Sequence, residues 1–175
     1  MAKLRKMLGS ADSPYIISLM RVIETQSKVT LANWCLDYVQ TYILPIFEGA
    51  YPEDGRPREA LTAAREWLEG KIKLPAAKEK ILAVHAAARE AEGNPAAQAA
   101  ARAVGQAAST IHAATHSLGI AFYGAAAIAY DRAGTNESPE TYDRIAAEEC
   151  GKMEAALRAV WIEGEMNPAK INWYC

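Results

Sequence analysis

Charge is absent from the stretch that dominates this chain: residues 103–130 contain no Asp, Glu, Lys or Arg, yet hold two of the three histidines. At helical rise such a segment covers about 42 Å. A compact domain of this length is only about 30–40 Å across, so the segment must cross or line the interior. It does not read as a membrane span. Gln106, Ser109, Thr110, His112, Thr115, His116 and Ser117 interrupt it, and its alanines contribute little transfer energy.

Cysteine is scarce. Cys35, Cys150 and Cys175 are odd in number and lack metal-like spacing, which excludes a disulfide framework or zinc ribbon and fits reduced thiols in the cytoplasm. A basic stripe is missing too: net charge is -2 and the lysines and arginines are scattered, so no nucleic-acid partner is expected. The basic residues 1–8 are followed by Gly9-Ser10-Ala11-Asp12 rather than an apolar core, unlike a secretory signal.

The motifs of familiar chemistry are also missing. His112 and His116 are four apart and would share a helix face, as a metal pair must. Ala113, however, stands where a zinc protease carries its glutamate base. The central segment has no glutamate for a di-iron site. There is no Gly-x-Ser-x-Gly elbow and no glycine-rich phosphate loop. Glu148 and Glu149 are adjacent, so on a helix they face apart and cannot share a proton. No catalytic, metal-binding or cofactor-binding residue follows from these patterns.

What is present is helix-forming. Ser13-Pro14 opens a first helix to about residue 26, and Thr30 can cap a second that kinks or ends near Pro45. A third is expected over 58–69 with Gly70 as its cap, and a fourth over 75–92, stopped by Gly93-Asn94-Pro95. The fifth, 96–132, is central, with Gly105, Gly119 and Gly124 as places to bend or break. Ser138-Pro139 restarts a last helix to about 163. The expected fold is all-α: one domain over 1–175, six or seven helices, a flexible segment 1–12 and an irregular tail 167–175. Trp67-Leu68-Glu69-Gly70 is echoed by Trp161-Ile162-Glu163-Gly164, which reads as two similar helix ends with glycine caps.

Two polar clusters stand out. Arg21, Glu24 and Lys28 are spaced for helix-surface pairs, with Gln26 among them. The tail carries Lys170, Trp173 and Cys175, and either docks on the bundle or presents an aromatic anchor to a partner. In a hairpin turning at Gly93, His85 lies opposite about Arg102, so His85, His112 and His116 converge only if the central helix breaks and folds back.

The strings Leu19-Met20-Arg21 through Lys28, Trp34 with Leu36-Asp37-Tyr38, Leu44-Pro45, Tyr51-Pro52, Pro95 through Ala103, Phe122-Tyr123-Gly124, and Asn167-Pro168 with Lys170, Trp173 and Cys175 resemble the small all-helical immunity proteins of bacteria. The match runs over nearly the whole chain. The resemblance implies a cytoplasmic protein that binds a cognate toxin by occlusion, without a cofactor. Its binding positions would be Arg21, Glu24, Gln26, Lys28, Lys170, Trp173 and Cys175. A second reading is a ligand- or metal-binding bundle, or an enzyme, using His85, His112 and His116 with Asp37 in a buried pocket. A third is a homo-oligomer packed through small-residue helix faces.

Overall fold

The computed structural model describes residues 3–173 and is all-α. Among the described residues there are eight α-helices, and one isolated bridge, Ser27 to Pro168, is the sole β-type pairing. The helices are α1 (Pro14–Ile23), α2 (Lys28–Tyr42), α3 (Leu44–Ala50), α4 (Arg56–Leu68), α5 (Leu74–Glu90), α6 (Pro95–Ser109), α7 (Gly119–Ala133) and α8 (Pro139–Ala159). None of them is long and apolar enough to cross a membrane.

The uncharged segment is two helices rather than one. α6 ends at Ser109, a short 3-10 turn occupies Ala114–Leu118, and α7 then returns antiparallel. The start of α6 and the end of α7 accordingly line one cleft, through Ala96 and Ile128. The break falls at none of the central glycines where a bend was expected, except that Gly119 opens α7. Its cause is a polar run. The Ser109 and Thr110 hydroxyls donate back to the Gly105 and Gln106 carbonyls at 2.7 and 3.1 Å, a local bond that competes with helix continuation. Ala113 then turns extended.

The glycines instead permit close approach. A Cβ on Gly105 would stand 2.6 Å from the His85 ring, and one on Gly119 would stand 2.5 Å from Gln106 Cγ and 2.8 Å from its Cβ. The α6–α7 hairpin therefore packs through alanine and glycine, most residues of both helices are buried, and the larger side chains (Phe47, Ile16, Leu31, Leu61) come from the helices around it. Gly119→Ala should cost about 1–3 kcal/mol, because Gln106 Cβ cannot swing aside. Gly151, on the exposed face of α8 with open space around it, is the control: Gly151→Ala should gain up to about 1 kcal/mol. Urea unfolding of both variants checks the pair.

Other boundaries move for identifiable reasons. Ser27, not Thr30, caps α2, accepting the Thr30 amide at 3.2 Å. α1 stops at Ile23 and α8 at Ala159, short of the expected 26 and 163, because residues 24–27 and 161–162 bond to one another instead of continuing their helices. Near Pro45 α2 ends rather than kinks, at Tyr42, and the proline lies inside the separate short α3. At the end of α4 the Lys71 and Gly70 amides return to the Glu66 and Trp67 carbonyls, with Gly70 at φ +74°, a Schellman closure. The echo at Trp161 has no such role, since α8 has already ended.

The segment before α1, expected to be flexible, makes defined contacts. Arg5 pairs with Asp143 at 2.8 Å, Leu8 is fully buried, and the Tyr130 hydroxyl donates to the Arg5 carbonyl at 2.5 Å.

Candidate functional site

One end of the bundle gathers most of the polar residues singled out above. Gln26, in the α1–α2 connection, is fully buried. Its amide nitrogen donates to the Thr25 carbonyl and hydroxyl and to the Ile162 carbonyl, each at 3.1 Å. Its side-chain oxygen accepts the Ile162 amide at 3.0 Å, and its backbone carbonyl accepts the Ala169 amide at 2.8 Å. Gln26 is thus a clamp on the chain that follows α8, not an exposed contact.

Glu165 is a second clamp. Its carboxylate accepts the Ser27 amide (2.7 Å), the Ser27 hydroxyl (2.8 Å) and the Thr30 hydroxyl (2.5 Å). Burial pushes its carboxyl up, but the bonds from Thr30 and Ser27 outweigh that and hold it below the usual carboxylate range. At the far end the Trp173 indole donates to Glu24 at 2.5 Å, and Glu24 also accepts Arg21 at 2.8 Å. Of the two outcomes open for the tail, docking is realised. Residues 160–173 form a strap across the α1–α2 connection.

The expected Glu24–Lys28 pair does not form, because the chain leaves the helix between them and Lys28 opens α2. Lys28 and Lys170 are both exposed and line a shallow pocket with His112, Thr115 and Asn167. Cys175 lies outside the described residues. Asp37 does not join a buried pocket: it is exposed on α2 and pairs with Arg65 at 2.8 Å.

The fold-back brings the histidines nearer than a continuous helix would. The His112 and His116 rings meet edge to face, 5.4 Å between centroids. They make this contact across the break, His112 following α6 and His116 lying within the 3-10 turn. His116 Nδ1 pairs with Gln106 Oε1 at 2.9 Å. His85 lies over Gly105, about one turn beyond the expected Arg102. Burial pushes all three imidazoles below their ordinary pKa; at His112 the neighbouring His116, Lys78 and Lys28 add to it. Among the described residues no group of three or more His, Cys, Asp or Glu has the geometry of a metal site. Cys35 and Cys150 are buried free thiols, and burial raises Cys150 to about 12, which leaves it unreactive at neutral pH.

A second feature went unseen in the sequence. A cleft of about 910 Å³ opens between α2, α3, the start of α6, the end of α7 and α8, lined by Tyr38, Tyr42, Arg132, Glu149 and Lys152 among others. None of the histidines lines it. Glu149 is 2% exposed, and its Oε1 accepts Arg132 at 2.7 Å and Lys152 at 2.8 Å. The signal was available: Glu149 sits in the apolar stripe of α8, between Tyr142, Ile145, Ala146 and Cys150, Met153, Leu157. Glu148 is exposed and paired with Arg144, so the two carboxylates do face apart. With the Glu149 carboxylate bonded by two cations, the cluster serves packing of α7 on α8.

No curated protein and no solved structure matches the chain. A family does, and its match takes in the last turn of α1, the α1–α2 connection and every helix from α2 through most of α8: over residues 21–156 the chain belongs to the Imm-5 like putative immunity protein family.

Proposed function

We propose that this chain is a cytoplasmic bacterial immunity protein that neutralises a protein toxin by non-catalytic occlusion, and that the strap end of the bundle is the docking surface. Family membership supplies the class of partner. The observation that carries the surface is the concentration of exposed apolar side chains on the clamped segments: Val29, Val160, Trp161, Ile162 and Met166. Trp161 is 43% exposed, yet its indole nitrogen is held by the Thr25 hydroxyl at 3.0 Å. An aromatic anchor fixed before contact loses little conformational entropy on binding.

Capture of the tagged chain from the cells that produce it, with mass spectrometry, identifies the toxin. Its expression in a heterologous bacterium then tests protection. The wild-type chain should restore growth, and the exposed-residue variant Trp161→Ala/Met166→Ala should weaken the complex at least about tenfold, the loss typical of an interface hot spot. Growth restored equally by both would remove the strap end as the surface.

A further inference from the structure

The pocket between α2, the turn after α6 and the strap has a chemistry that toxin docking does not require. It is lined by Lys28, His112, Thr115, Asn167 and Lys170, has a volume of about 380 Å³, and contains no carboxylate in its lining. Lys28 and Lys170 make no ion pair or hydrogen bond among the described residues, although most other cations of the chain are paired. Glu165, on the same strap, is engaged by Ser27 and Thr30.

His112 Nδ1 is the one buried side-chain nitrogen or oxygen among the described residues without a partner. A buried polar atom left unpaired costs about 1–3 kcal/mol, and such groups are normally satisfied. The His112 ring borders a pocket that also carries Lys28, Lys170 and the Thr115 hydroxyl, and the fields of Lys78 and Lys28 reach the ring. Two ammonium groups, the Thr115 hydroxyl and, in the tautomer that protonates Nδ1, the His112 ring are donors suited to the lone pairs of one oxyanion. Asn167 adopts φ +58°, the left-handed conformation that Asn tolerates. That turn leads into Pro168 and Ala169, pinned to Ser27 and Gln26, and so brings Lys170 into the pocket lining.

We infer that this pocket is an oxyanion-binding site, taking a carboxylate or phosphate group between Lys28, Lys170, His112 and Thr115. The site stands whether or not a toxin docks on the neighbouring apolar patch. The oxyanion can come from an acidic side chain of a bound protein or from free phosphate, and the two sources are separable.

The full chain is titrated by NMR with inorganic phosphate and, separately, with an acetylated and amidated tetra-aspartate peptide at matched ionic strength. At least one should give saturable shifts confined to residues 28, 112–115 and 167–170. Tighter binding of the peptide assigns the site to a protein side chain, and tighter binding of phosphate assigns it to the free ion. Lys28→Gln/Lys170→Gln changes only exposed side chains, so it should fold as the wild type while binding about tenfold more weakly. His112→Phe should lose the shifts at 112–115. No saturable binding of either probe, shifts scattered over all surface lysines, or binding unchanged in Lys28→Gln/Lys170→Gln would overturn the site. The Trp161→Ala/Met166→Ala test of toxin protection is unaffected by either result.

Discussion

Gln26→Ala should release the strap. Gln26 makes three donations and one acceptance through its side-chain amide, and among the described residues it is the only buried side chain that grips both the α1–α2 connection and Ile162. A net hydrogen bond contributes about 0.5–1.5 kcal/mol, and groups left unpaired in a buried site add to the loss. The variant should therefore lose about 2–4 kcal/mol of strap stability. Amide exchange checks it: residues 160–173 should exchange faster by two or more orders of magnitude, while α6 and α7 stay protected. Gln26→Glu should fare no better, since it keeps the acceptor for the Ile162 amide but turns a carboxylate oxygen toward the Ile162 and Thr25 carbonyls. Both variants should also lose protection against the toxin, because Trp161 is aimed by Thr25 beside the same clamp.

Removing both cations from Glu149 is the second large effect. Arg132→Ala/Lys152→Ala strands a carboxylate that is 2% exposed. Breaking a buried pair by deleting one side typically costs about 3–5 kcal/mol. The value here should fall near the lower end, about 3 kcal/mol, because the cations are half exposed and the cleft admits water. The background decides the mechanism. Adding Glu149→Leu to the double variant should restore most of the loss, since an apolar side chain fits the α8 stripe and leaves no charge behind. If urea unfolding gave the same loss in both backgrounds, the arginine and lysine would be acting through packing rather than charge. Toxin protection should be unchanged, because this cluster faces the cleft and not the strap.

The fold was legible where side-chain chemistry is local. Ser13-Pro14, Asn94-Pro95 and Ser138-Pro139 open helices as expected, and Gly70 closes α4 with a positive φ. What escaped sequence reasoning was chemistry set by partners distant in the chain. Gln26 reads as one more polar residue at a helix end until Ile162, far along the chain, is seen to take both faces of its amide. Thr30 reads as a cap, but its hydroxyl serves Glu165. The break after Ser109 lies in a run of hydroxyl and histidine residues rather than at a glycine, because the glycines of a tightly packed hairpin are spent on helix approach. Of the candidate site, Arg21, Glu24 and Trp173 are joined in one chain of contacts. Lys28, Lys170 and His112 share one pocket, and Asp37 belongs to neither.

The most direct test of the toxin reading is amide exchange of the chain alone and in complex with the toxin it captures. Added protection should concentrate at residues 21–30 and 160–173, with little change along α4 and α5. Protection centred instead on the Tyr38–Glu149 cleft, or on α4 and α5, would contradict it.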